Sequence, residues 1–147
     1  MNATRRTVLI AGALSAITAL SFSSAVFAAS DLVEVQSLNA ANKPITVAVP
    51  KNPQRIAVAD FSVLDTLDHW GLGERIVALP QTTALPYLPQ YFKKSKKVTN
   101  LGTLKEIDLE GLMAAEPDVI FISGRLAKKY DELSKIAPVV FMTADHE

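Results

Sequence analysis

Apolar and polar positions alternate from Leu32 to Ser37 and again from Ile45 to Val49, which puts Ile45, Val47 and Val49 on one face. Turn-forming residues from Asn39 to Lys43 separate the two runs, so a β-hairpin is predicted. Pro50 and Pro53 follow as a connector, since neither has a backbone donor for a ladder. The pattern then changes to short apolar runs of the kind that form buried parallel strands: Arg55–Ala59, Ile76–Leu79, Val119–Ile122 and Val139–Met142. Val63, Leu67 and Trp70 recur at helical spacing, with Gly71 just beyond them, and predict a helix over Ser62–Trp70. Ser62 and Asp65 have the spacing of a capping box at its start. Asp108 can cap a second helix, Leu109–Ala115, which Glu116, Pro117 and Asp118 end. Leu126, Tyr130 and Leu133 mark one face of a third helix, closed by Pro138. Gln81–Thr103 is a long polar connection with at most a turn of helix at Leu88–Phe92, and connections of this kind often line binding sites.

Strand and helix therefore alternate, and the expected fold class is α/β: a mainly parallel sheet flanked by helices, preceded by a β-hairpin. Right-handed crossovers bring the strand exits to one edge of such a sheet. Asp60 and Phe61, Pro80, Ser123–Arg125 and Thr143 share that edge.

The amino terminus bears on location. Arg5 and Arg6 precede an uncharged apolar stretch, Val8–Phe22, and Val26–Ala28 has the small-residue pattern that signal peptidase cuts after. A signal peptide over residues 1–28, cleaved after Ala28, is expected. A membrane anchor competes with it, but Gly12, Ser15, Thr18, Ser21, Ser23 and Ser24 dilute the stretch and no basic stop-transfer flank follows. The paired arginines fit both a twin-arginine and an ordinary export signal. There is no cysteine for a disulfide framework or a lipid-modified terminus. A periplasmic protein is expected.

Removing 28 of 147 residues leaves 119, enough for one core and one domain. With Arg5 and Arg6 gone, 13 basic residues face 15 acidic ones, a charge of −2 that argues against nucleic acid as a partner.

Conventional catalysis has little support in the residues. His69 lies within a predicted helix and His146 near the chain end, and neither has ligand-spaced partners for a metal. Gly71 and Gly73 follow a helix instead of opening one, unlike a phosphate-cradling loop. Ser123 has neither the flanking glycines of a nucleophile elbow nor an evident base. No catalytic residue, metal site or cofactor is expected.

Binding has a better candidate in Arg125, at the carboxyl end of a strand where open α/β sheets receive ligands. A guanidinium is permanently charged, planar and weakly hydrated, suited to an anion in a partly desolvated cleft. The competing reading is a surface arginine whose stem packs on the sheet edge. Ser123, Gly124, Asp60 and Phe61 share the rim, and Lys105 is a weaker basic candidate that equally fits a solvated lysine or a pair with Glu106. Lys93, Lys94, Lys96 and Lys97 form a basic cluster able to steer anions, or simply a solvated loop. Tyr87, Tyr91 and Phe92 offer ring surface to a planar ligand, or burial beneath the connection.

Six segments carry a family resemblance: Pro50–Phe61, Leu64–Asp68, Asn100–Glu106, Asp108–Glu110, Glu116–Arg125 and Tyr130–Pro138. Together they resemble the periplasmic ferric-siderophore binding proteins of ABC importers, above all the branch that takes up catecholate siderophores. The similarity runs in order through residues 31–143. It implies one lobe of a two-lobe periplasmic-binding-protein fold, in which an arginine after a serine-glycine pair meets the siderophore. Arg125 occupies that position. It also implies that the siderophore holds the iron, and that Glu110 matches an acidic residue that contacts the inner-membrane ABC permease. Glu110 fits equally a glutamate stabilised by a helix dipole.

The expected function is thus binding of an anionic ferric siderophore in the periplasm for ABC-transporter iron uptake, by a monomer. Members of the family are about twice as long, so residues 29–147 correspond to the first lobe with the second absent, and a fragment of a longer reading frame is one expectation. The alternatives are haem, cobalamin or hydroxamate binding, or a truncated lobe acting only as a permease-interacting module.

Overall fold

The hairpin forms where alternation predicts it. β1 (Leu32–Leu38) pairs antiparallel with β2 (Pro44–Pro50), with Val33 opposite Val49, Val35 opposite Val47 and Ser37 opposite Ile45. Asn39 makes the turn: its side-chain oxygen accepts from the N–H groups of Ala41 and Lys43, and Asn42 takes φ 56°.

The structure, a computed structural model, describes residues 31–81, 84–93 and 98–143. The expected signal peptide and its cleavage site, Lys94, Lys96, Lys97 and His146 lie outside these residues. Among the described residues no helix is long and apolar enough to cross a membrane.

A second sheet contains β3 (Ile56–Val58), β4 (Ile76–Leu79), β5 (Thr99–Asn100), β6 (Val119–Ile122) and β7 (Val139–Phe141). Its order is β5-β4-β3-β6-β7 and every pairing is parallel. Four of the strands coincide with the predicted apolar runs to within a residue or two. β5 was not predicted, because two polar residues give no alternation. It is held by backbone pairing to β4, with fully buried Leu101 just beyond it.

α1 spans Phe61–His69, one residue earlier than expected, and its cap is Asp60, not Ser62. The Asp60 carboxylate accepts from the N–H groups of Ser62 (2.8 Å) and Val63 (3.4 Å), so the Ser62–Asp65 capping box is replaced. The helix ends as the glycine predicts. Gly71 at φ 72° donates its N–H to Asp68 and Leu72 donates to Leu67, a Schellman closure that a residue with a Cβ would strain.

α2 (Leu109–Ala114) is capped by Asp108 as predicted, through Glu110 and Gly111 N–H at 3.1 and 3.0 Å. The Arg55 guanidinium bonds the carbonyls of Ala115 and Glu116 at its other end, and the Asp118 carboxylate accepts from the Gln54 and Arg55 N–H groups. These contacts lock the starts of β3 and β6 side by side.

The third predicted helix is only partly α-helical. Gly124–Lys129 winds as a 3-10 helix and continues as α3 (Tyr130–Leu133), with Leu126, Tyr130 and Leu133 buried as expected. No side chain caps its start, and the tighter winding covers more length per residue, about 2.0 Å against about 1.5 Å.

Alternation along the strands divides the core. Ile56, Val58, Val119 and Val140 face α1 and the buried Leu88 and Tyr91, while Ala57, Ala59, Ile120 and Ile122 face Leu112 of α2 and Leu126, Tyr130 and Leu133. Connections to the β4 side of β3 thus cross one face, and those to the β6 side cross the other. The strand order reverses between β3 and β6.

The hairpin joins this body at its β7 edge. Buried Ser37 accepts the Phe141 N–H on its hydroxyl at 2.9 Å. Ser37→Ala leaves that buried donor unpaired and is expected to cost about 1–3 kcal/mol in urea unfolding. A loss under about 0.5 kcal/mol, the range of ordinary surface changes, contradicts a structural role for the contact.

Candidate functional site

A cleft opens where the strand order reverses, the place where open α/β sheets receive ligands. The β3–β6 ladder continues to the exit through the Ala59 N–H and Phe121 carbonyl at 2.8 Å, and then the chains part. Asp60, Ser62, Ser123, Gly124, Arg125, Met142 and Thr143 line a cavity of about 530 Å³. That volume is within the ~300–1,000 Å³ usual for small-molecule sites.

Arg125 is exposed at this mouth and makes no hydrogen bond or ion pair with any described residue. It sits on the uncapped 3-10 turn after β6, where the Leu126 N–H donates to the Ser123 carbonyl at 3.0 Å.

Asp60 is also charged, but its charge is spent within the protein. Burial pushes its carboxyl upward. Hydrogen bonds from the Ser62 and Ser123 hydroxyls and from the Ser62 and Val63 N–H groups outweigh this and hold it below the ordinary carboxylate range. The positive end of α1 offsets the charge further.

A pH dependence follows. Because folding lowers this pKa, the stabilisation is complete above the unfolded value of about 4 and is lost as pH falls through the lower folded value. Urea unfolding is therefore expected to separate wild type from Asp60→Asn at neutral pH, with the gap shrinking below about pH 4. A gap that stays constant or widens in acid contradicts the ionised cap.

Four of the seven expected ligand residues, Asp60, Ser123, Gly124 and Arg125, meet in the cleft. The other three do not line it. Phe61 is half-buried and packs edge-on against Phe92, with centroids 6.1 Å apart. Tyr87 is exposed on the long connection. Lys105 is exposed in a tight loop after β5, where Thr103 Oγ1 accepts its N–H, on the edge strand beyond β4. Ser62, Met142 and Thr143 also line the cleft, and the sequence reading did not count them as ligand residues. Thr143 was legible as a strand exit. Glu110 lies exposed in the first turn of α2, which begins just past the exit of β5. Among the described residues no three His, Cys, Asp or Glu side chains gather as a metal site.

A parallel sheet thus presents an unpaired cation in an open cleft at its switch point. The chain belongs to the periplasmic binding protein family, whose signature matches residues 56–147. The petrobactin-binding protein YclQ of Bacillus subtilis is 41% identical over 97 residues, which are 66% of this chain and 30% of that protein. Its crystal structure superposes with a TM-score of 0.68 at 35% identity, covering 77% of this chain and 39% of that one. The periplasmic catecholate-siderophore binding protein VctP of Vibrio cholerae gives a TM-score of 0.60 at 31% identity, covering 77% and 37%. The ferric-anguibactin-binding protein FatB of Vibrio anguillarum is 28% identical over 66% of this chain and 29% of its own length. The chain therefore spans about a third of the length of these relatives.

Proposed function

We propose that this chain forms the first wall of a periplasmic receptor site for an anionic ferric siderophore, which an inner-membrane ABC importer then takes up. The observation that carries this reading is Arg125, exposed and unpaired at the switch-point cleft. A ferric tris-catecholate spreads negative charge over oxygen atoms at its surface, and guanidinium donors match such oxygens in charge and geometry. Iron arrives as cargo already held by its chelator, so the protein's role is to recognise the chelate's outer surface. The names of the relatives point to the same ligand class.

Glu110 supports docking on the permease, as an exposed carboxylate at the start of α2. Export with cleavage after Ala28, and action as a monomer, belong to the same proposal.

Titration with ferric tris-(2,3-dihydroxybenzoate), followed by calorimetry, tests the reading. Saturable binding that weakens with salt is expected, because exposed charge attraction is screened beyond about 10 Å at 0.1 M salt. Tighter binding of a neutral ferric trihydroxamate, of haem or of cobalamin would replace the catecholate reading. No binding of any of them would leave only the docking module.

A further inference from the structure

Beside the cleft is a second hollow of about 210 Å³, lined by Ser62, Val63, Thr66, Leu67, Trp70, Phe121 and Met142. It exists because α1 lies over β3 while α2 and the β6–β7 connection pack on the opposite face, leaving the Phe121 side of β6 without a helix beyond α1. Large apolar side chains remain in water there: Trp70 is 67% exposed and Met142 is 45% exposed. The polar members offer little to a polar guest. Thr66 donates its hydroxyl to the Ser62 carbonyl at 2.9 Å, and the Ser62 hydroxyl is bound to Asp60.

The two hollows are continuous, since Ser62 and Met142 line both. One is charged at Arg125 and the other is apolar. We infer that the hollow at Trp70 is a subsite for an apolar arm of the same ligand whose anionic head faces Arg125, so that the preferred siderophore is amphiphilic. This rests on the anion reading of the cleft. Apolar contact there adds affinity in proportion to the carbon withdrawn from water, roughly fourfold per methylene. It also gives the single lobe a means of telling apart chelates with identical heads.

Gallium(III) tris-complexes of two 2,3-dihydroxybenzamides, one N-methyl and one N-hexyl, test the inference, because gallium keeps the charge of the iron complex without its quenching absorption. Trp70 is the chain's single tryptophan and reports directly. Burial of three methylenes predicts about sixtyfold tighter binding of the hexyl complex, with Trp70 emission moving to shorter wavelength. Thr66→Gln, an exposed change on the helix, is expected to abolish the hexyl advantage while leaving methyl-complex affinity unchanged.

Equal affinities, or unmoved Trp70 emission on saturation with the hexyl complex, would overturn the inference and leave the anion cleft standing. Failure of both complexes to bind would overturn the two together. A concentration-dependent dimer broken by Thr66→Gln would assign the hollow to a second copy of the chain and overturn it as well.

Discussion

Arg125→Ala is expected to weaken binding of an anionic ferric catecholate by about 10- to 100-fold. The figure follows from the roughly 1.5–3 kcal/mol of a hydrogen bond to a charged group, at about 1.4 kcal/mol per tenfold. Arg125→Lys is expected to fall between, since a lysine keeps the charge but loses the planar fork. Because Arg125 has no described partner, the urea midpoint of the free protein should not move by more than the ~0.5 kcal/mol of a surface change. Calorimetry on wild type and both variants, at low and moderate salt, separates these effects. Unchanged affinity in Arg125→Ala would remove the arginine from the site, and a large loss of stability would make it a structural residue.

The second large effect concerns the fold that carries the cleft. Gly73→Ala is expected to destabilise the protein by about 3–5 kcal/mol, combining overpacking with damage to a buried charged hydrogen bond. A Cβ on Gly73 would lie 1.9 Å from the Tyr91 hydroxyl. Tyr91 is 1% exposed, and its hydroxyl donates to Asp68 Oδ1 at 2.5 Å, where Gln90 Nε2 also donates at 3.0 Å. Burial, with Asp68 beside it, pushes the phenol far above its ordinary pKa and keeps it a donor. The ring therefore cannot simply swing away. This network fastens the long connection after β4 onto α1, so its loss should loosen that connection first. In a double-mutant cycle, Tyr91→Phe is expected to restore part of the stability of Gly73→Ala by removing the clashing oxygen. Gly73→Ala within about 1 kcal/mol of wild type by urea unfolding would mean the ring has room to move.

What the sequence revealed followed from local pattern. Alternation gave the hairpin, apolar runs gave β3, β4, β6 and β7, and Asp108 and Gly71 marked helix ends where they form. The start of α1 was misplaced because Asp60 and Ser62 are both competent caps two residues apart, and only the end of β3 decides between them. β5 escaped notice because its stability lies in the backbone of a neighbouring strand.

The same distinction holds at the site. Asp60 and Ser123–Arg125 were readable because strand exits in a parallel sheet share an edge. Lys105 also follows a strand, but sequence order does not reveal that β5 occupies the outer edge, beyond β4. The apolar hollow was illegible for a related reason: its walls come from α1, β6 and the end of β7, and its existence depends on which face the crossovers leave bare.

The bond between the Ser37 hydroxyl and the Phe141 N–H spans 104 positions of sequence. An amino-terminal ribbon that fastens to the final described strand has nothing to hold until that strand has left the ribosome. Contacts of such long range slow folding, so completion of this lobe is a late event in the life of the nascent chain.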